Sequence, residues 1–244
     1  MKMLNTITVI RTVISYILCV LVALLFFLPC LILLIVLPER HRVRNKYIYA
    51  LLDLCYKGVL KAFFIPIDLR GQIQMSPAII IANHQSALDI PLVGTLFNGR
   101  PHLWYVLAYY KDTPLFGFII RRLGVMVDPH NQRQAAGGLV HGIKLIEQRQ
   151  WDCIVFPEGG RYNDGMIHKF YRGFALIAKK TGRPIIPVFL HNAGKVYPPY
   201  SFWIYWYPIT IIVGEPLWYS QNETEESFVE KVRDWFISKH NLKL

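Results

Sequence analysis

Acidic residues are scarce in this chain. Asp and Glu number 16 against 27 Lys and Arg in 244 residues, for a net charge of +11. Cysteine is scarcer still. Cys19, Cys30, Cys55 and Cys153 share no paired spacing, which argues against a disulfide scaffold or a zinc module and fits a reducing compartment. Charged residues of both signs make up 18% against 53% hydrophobic, which excludes a disordered chain. The sequence has no internal repeat and no low-complexity linker. It contains no G-x-S-x-G nucleophile motif and no nucleic-acid motif. Gly137-Gly138 lies outside any P-loop or Rossmann context, so nucleotide binding is not read there. His102, His130, His141, His168 and His191 lack metal-ligand spacing, and no metal site is expected. One domain plus an appendage is what these absences leave.

The appendage is the N-terminus. Thr12 to Pro38 is a run of 27 residues without a charge. As a helix it spans roughly 40 Å, against about 30 Å of bilayer hydrocarbon. Its length argues against a buried core helix and against a cleaved signal peptide. The run predicts a membrane-anchoring helix, tilted or broken at Pro29. A re-entrant helical hairpin turning near Pro29, with both ends cytoplasmic, is the alternative. Arg40, Arg42, Arg44 and Lys46 follow at once, with Glu39 the only acid. This places the flank and the domain beyond it on the cytoplasmic face, and the same charges suit anionic lipid headgroups. Lys2 and Arg11 on the far side weaken the asymmetry. The expected division is a membrane anchor over 1–46 and a folded domain over 47–244.

Beyond the anchor, strands alternate with helices. The pattern predicts a helix over 47–64 and strands over 78–82, 103–108 and 124–127. It continues with a helix over 135–149, a strand over 153–156 and a helix over 173–181 stopped by Gly182. Strands over 185–190 and 209–213 and an amphipathic helix over 223–240 complete it. The fold class is α/β, a mostly parallel or mixed sheet flanked by helices. Leu103–Tyr110 reads as a core strand in preference to the wall of an acyl-chain tunnel. The aromatic segment Tyr197–Tyr207 suits either a membrane interface or packing beneath a loop.

Two segments carry chemistry. The first is Asn83-His84-Gln85-Ser86-Ala87-Leu88-Asp89, which follows a buried strand and opens a helix. Five positions apart on one helix, His84 and Asp89 would stand roughly 140° apart. They meet only if His84 lies in the turn and Asp89 in the first helical turn. Ser86-x-x-Asp89 resembles a capping box, so the helix is expected just after Ser86. As bare structure, Asp89 would be a capping partner and His84 a loop histidine. As chemistry, Asp89 fixes the His84 tautomer and leaves the other ring nitrogen to take a proton. A dyad with no nucleophile of its own suggests activation of a substrate hydroxyl.

The second segment is Phe156-Pro157-Glu158-Gly159-Gly160-Arg161. Paired glycines let backbone approach a ligand closely, and Arg161 suits a phosphate. Seven Lys or Arg and two acids lie between Pro157 and Lys195. This basic surface favours an anionic, phosphorylated substrate over nucleic acid.

Asn83-His84-x-x-x-x-Asp89 and Phe156-Pro157-Glu158-Gly159-x-Arg161 resemble motifs of the glycerolipid acyltransferase family, typified by lysophosphatidic acid acyltransferases. Lys111-x-x-Pro114-x-Phe116-Gly117, running to Gly124-x-x-x-Asp128, resembles a second block. Phe170-x-Arg172-Gly173 and Ile186-Pro187-Val188 resemble later ones. The likeness covers about residues 78–215. It implies transfer of a fatty acyl group from acyl-CoA or acyl carrier protein to a lysophospholipid hydroxyl, with no cofactor. His84 would be the general base and Asp89 its orienting partner. Asn83, Lys111, Glu158, Gly159, Gly160, Arg161 and Arg172 would contact substrate. 1-Acylglycerol 3-phosphate, giving phosphatidic acid, is the expected acceptor. Membrane lipids are the expected surroundings.

Two positions depart from the pattern. Gly160 stands where the family commonly has Thr, and Pro129 where it commonly has Arg. Arg121, Arg122 or Arg133 are the candidates to supply that lost charge. Acylation of another lyso-lipid, bearing an amino-acid or other headgroup, is the alternative within the class. A thioester or lipid hydrolase, with His84 activating water, and a non-catalytic membrane scaffold are the alternatives outside it.

Overall fold

The computed structural model describes residues 5–42, 45–128, 131–162 and 164–242. Lys2, Arg44, Pro129 and His130 lie outside the described residues. Helices α1 (Thr6–Val22), α2 (Leu28–Val36), α3 (Glu39–Arg42) and α4 (Lys46–Ala62) precede the sheet region. Then come β1 (Ile67–Arg70), β2 (Ile79–Ala82), α5 (Asp89–Gly94), β3 (His102–Leu107), α6 (Phe116–Leu123) and β4 (Gly124–Val127). The chain continues through α7 (Gln132–Arg149), β5 (Asp152–Val155), α8 (Gly173–Thr181), β6 (Ile185–His191), α9 (Ala193–Val196), β7 (Ile209–Val213) and α10 (Glu225–His240).

The strands form one seven-stranded sheet in the order β1-β7-β6-β2-β5-β3-β4. All described neighbours run parallel except β6 and β7. The mixed α/β sheet is the expected fold class. β2 is buried at every position because helices cover both its faces, as its unbroken Ile-rich run requires. Leu60, Phe97, Leu92 and Ile80 pack on one face, and Phe174, Ile146, Phe228 and Ile79 on the other. β1 was not foreseen. Ile67 and Leu69 alternate with Asp68 and Arg70, but all four residues are exposed, so β1 has no buried face and exists by pairing with β7. As an edge strand it is charged, with Asp68 and Arg70 paired at 2.7 Å.

Local signals set most boundaries. The Asn131 side chain accepts from Gln134 N at 3.1 Å, which starts α7 three residues before the expected position 135. Thr224 caps α10 in the same way, accepting from Ser227 N at 3.1 Å. Gly182 adopts φ +63° and its N–H closes α8 on Ala178 at 2.9 Å.

The N-terminal run remains helical through Pro29. A π-helical stretch, Ala23–Phe27, joins α1 to α2, and Leu28 N–H reaches Ala23 O. The widened turn accommodates a proline that would otherwise crowd the carbonyl four residues back. The expected break or hairpin turn at Pro29 is therefore absent. The chain reverses instead past Leu37, and α4 runs back along α2 and α1. Cys30 Sγ approaches Ile48 O at 3.7 Å near one end of this hairpin. Gly58 faces Val22 near the other, where a Cβ would stand only 2.9 Å from the valine methyls. Thr6–Val36 is 31 residues long and apolar enough to cross a membrane. Ile7, Ile17, Leu25 and Val36 are among its exposed side chains.

His102 opens β3 inside this core. Its ring stacks on Phe97 at 4.4 Å, and its Nδ1–H donates to Arg100 O at 2.9 Å. Burial pushes its pKa down from 6.5 to about 4. The unfolded chain therefore takes up a proton before the folded one does. Stability is full above 6.5 and is lost as pH falls toward 4, by about 3 kcal/mol at most. His102→Phe keeps a stacking ring and removes the titration. Denaturation midpoints at pH 7 and pH 4.5 are expected to differ less in that variant than in the parent. An equal difference would assign the acid sensitivity elsewhere.

Candidate active site

The site lies at the carboxyl ends of β2 and β5. Ile81 pairs with Val155 in their parallel ladder. Carried three residues further, that register sets His84 beside Glu158. The contact is made: His84 N–H donates to Glu158 Oε1 at 3.1 Å. Glu158 Oε2 accepts from His168 N–H at 3.1 Å. Glu158 is 1% exposed. Burial pushes its carboxyl above the ordinary Glu value, and the two backbone N–H groups pull the other way. Its side chain thus braces the turn that holds His84 rather than facing open space.

Asp89 begins α5, two residues later than expected, because Ala87 and Leu88 form a turn first. Three donors converge on its Oδ2. They are His84 Nδ1–H at 2.8 Å, Gln85 N–H at 2.6 Å and Ser86 N–H at 2.7 Å. The return bond to Ser86 N is the acid half of a capping box. Ser86 Oγ accepts from Leu88 N–H at 3.1 Å and donates to Tyr197 O at 2.8 Å. An ionised carboxylate only accepts, so Nδ1 of His84 carries the proton and Nε2 is left with its lone pair. The imidazole lies flat on Phe156, with ring centroids 4.0 Å apart and planes 10° apart. Phe156 in turn stacks on Trp104 at 5.9 Å.

His84 opens onto a cavity of about 450 Å³. Its walls are largely apolar, with Trp104 and Tyr105 from β3, Ile119 and Ile120 from α6, and Phe174 and Ile177 from α8. β3 is therefore both core strand and cavity wall, which corrects the preference for core packing alone. Gly159, Gly160 and Arg161 line the same cavity. Gly159 takes φ +67°, where a Cβ would run into the Tyr171 ring. Gly160 is under no such demand. A Cβ there meets nothing closer than Tyr162 at 3.6 Å, so the backbone at this position does not itself demand glycine. Arg161 is exposed, with Nη2 3.4 Å from Tyr110 Oη.

The other predicted residues stand elsewhere. Asn83 is 1% exposed and fastened to β6, donating to Leu190 O at 3.0 Å and accepting from Leu190 N–H at 2.8 Å. Lys111 is exposed beside Tyr110, and its carbonyl accepts from Arg121. Arg172 is exposed and faces Glu226 of α10 at 3.5 Å. Neither Lys111 nor Arg172 is among the cavity-lining residues. The structure thus gathers His84, Asp89, Glu158, Gly159, Gly160 and Arg161. It leaves Asn83 in the sheet, Lys111 near the rim and Arg172 on the outside. Phe156 as the platform under His84 was overlooked although it stood inside a quoted motif. Tyr110 and the Tyr197 carbonyl had no signal, because their partners lie 51 and 111 residues away in sequence.

A family model described as Acyltransferase matches residues 66–191, just over half of the chain. The chain belongs to the acyltransferase family. The matched span runs from the edge of β1 to the end of β6 and takes in both His84 and Arg161. The chain is 26% identical over 224 residues to the 1-acyl-sn-glycerol-3-phosphate acyltransferase of Limnanthes alba, covering 87% of this chain and 74% of that one. It is 26% identical over 167 residues to the enzyme of the same name from Pseudomonas aeruginosa, covering 67% and 63%. The crystal structure of the 1-acyl-sn-glycerophosphate acyltransferase from Thermotoga maritima has a TM-score of 0.76 and 23% identity, over 97% of each chain. That likeness is one of fold.

The bracing role of Glu158 is testable. Glu158→Gln sets an amide NH2 against one of two backbone donors. An unsatisfied buried donor costs about 1–3 kcal/mol. The denaturation midpoint of the detergent-solubilised variant is expected to fall accordingly, and an unchanged midpoint would remove the brace.

Proposed function

We propose that this acyltransferase moves a fatty acyl group from a thioester donor to the free hydroxyl of 1-acylglycerol 3-phosphate, giving phosphatidic acid. The observation that carries the chemistry is the 2.8 Å contact between His84 Nδ1 and Asp89 Oδ2 at the mouth of an apolar cavity. With Nδ1 committed to Asp89, Nε2 accepts the acceptor's hydroxyl proton. The hydroxyl oxygen attacks the thioester carbonyl, the C–S bond breaks, and the thiolate leaves with the proton that His84 holds. The apolar cavity suits a fatty chain, and about 450 Å³ is within the usual range of small-molecule sites. Acyl-CoA or acyl carrier protein supplies the thioester.

The names of the relatives support the acceptor, and so does the exposed guanidinium of Arg161 at the cavity mouth. Arg161 and Lys111 bind the acceptor phosphate, with Gly159 and Gly160 allowing close approach. Glu158 and Asn83 act by holding the His84 turn rather than by touching phosphate. The exposed apolar helix keeps the enzyme at the bilayer, where acceptor and product reside. The basic flank of Arg40, Arg42 and Lys46 supports a catalytic domain on the cytoplasmic face.

Acyl transfer in vesicles, with products resolved by mass spectrometry, tests the reading. Acyl-CoA and acyl carrier protein donors are offered with 1-acylglycerol 3-phosphate, and lyso-lipids bearing other headgroups run in parallel. The expected product is phosphatidic acid, reduced by about 10²–10⁴ in His84→Ala. Product from other lyso-lipids alone would overturn the acceptor. Thioester consumption that ignores added acceptor would make the protein a hydrolase.

A further inference from the structure

Polar side chains are few on the apolar N-terminal helix, and they cluster. Arg11, Thr12, Ser15 and Tyr16 fall on one side of α1. Thr12 and Ser15 are fully buried, while Ile10, Ile14 and Ile17 are exposed. That polar side meets the segment between α9 and β7, Tyr197–Tyr207, which has no helix or strand of its own. A buried backbone without a ladder must find other partners. Ile204 is fully buried, and α1 serves both its backbone groups. Ile204 N–H donates to Thr12 Oγ1 at 3.1 Å, and Arg11 Nη2 donates to Ile204 O at 2.7 Å. Tyr16 Oη–H donates to Phe202 O at 2.8 Å, with the two rings stacked at 5.0 Å. Tyr16 Oη also lies 3.2 Å from Tyr197 Oη.

The same segment reaches the dyad. Tyr197 O accepts from Ser86 Oγ–H at 2.8 Å. Ser86 N–H donates at 2.7 Å to Asp89 Oδ2, the oxygen that holds His84. From α1 to His84, each link is a hydrogen bond or a few residues of backbone. We propose that Arg11, Thr12 and Tyr16 are positioning residues for acyl transfer. By satisfying Ile204 and Phe202 they fix the Tyr197 carbonyl, and through Ser86 they fix Asp89 and His84. The apolar helix is then part of the catalytic apparatus as well as the membrane element, and turnover depends on its seating. This inference rests on the His84–Asp89 reading above.

The test uses the full chain in mixed micelles of one lipid composition, with the micelle-bound fraction measured by flotation. Thr12→Val and Tyr16→Phe together remove three of these links and keep the Tyr16 ring stack. The expected result is a fall in kcat of about 10- to 100-fold per bound enzyme, with donor KM unchanged. Thr12→Ser, which keeps the acceptor oxygen, is expected to retain the parent kcat. Should the double variant not fold, Tyr16→Phe alone is read by the same criterion. A parent kcat in the folded variant overturns the proposal. So does a loss of activity that tracks only the loss of bound enzyme. His84→Ala runs alongside. Activity retained there brings down the dyad reading and this inference with it. An inactive His84→Ala beside a fully active double variant brings down the positioning role alone.

Discussion

Ile81 pairs with Val155 in the parallel ladder between β2 and β5, and three residues on His84 meets Glu158. Slip that ladder by one residue and every side chain of β2 changes face. A slip would also break the Glu158 bond to His84 N–H and the Asn83 bonds to Leu190, and these position-specific polar contacts hold the register. The register therefore sets where the His84 turn begins. Glu158 then holds two separate backbone segments, at His84 and His168, with one buried carboxylate. A carboxylate out of water needs such donors, and the turns need such an acceptor. The Asn83 amide adds the third strand by joining β2 to Leu190 of β6.

On this frame the site sets polar and apolar groups side by side. Asp89 gathers His84, Gln85 and Ser86 onto one oxygen, so the imidazole has little freedom to rotate. The other side of the ring rests on Phe156 and opens to the cavity. Under the proposed function, a base held this way would be oriented before substrate arrives, so less ordering is left to the reaction itself. The apolar walls give a fatty chain somewhere to lie. The helix α1 closes the arrangement from outside, through contacts to the backbone of the Tyr197–Tyr207 segment.

Much of this was legible beforehand. The five-residue spacing of His84 and Asp89 admitted one geometry only, and that geometry is present. The strands over 78–82, 124–127, 185–190 and 209–213 were expected within a residue of their observed limits. β1 was not, because its alternation runs for only four residues and covers no buried face. Pro29 misled, because a proline reads as a break unless the preceding turn widens, and the π-helical stretch does widen it. Glu158, Asn83 and Arg172 share polar or charged character with true ligand contacts. Only burial and partners separate a brace (Glu158), a sheet fastener (Asn83) and a surface ion pair (Arg172) from a phosphate contact.

Sequence alone is enough for the order of the elements other than β1, for the apolar N-terminal helix, for the His84–Asp89 pairing and for the glycine turn with its Arg161. These follow from local periodicity, caps and short spacings, which a chain carries wherever it folds. The tertiary structure decided which face β3 turns to the cavity, what Glu158 holds and why α1 carries Thr12 and Tyr16. The α1 contacts and the His84 end of the Glu158 brace join partners more than 70 residues apart, and the face of β3 answers to a space between elements. Hydrophobic pattern records that a residue is buried and says nothing of what it is buried against.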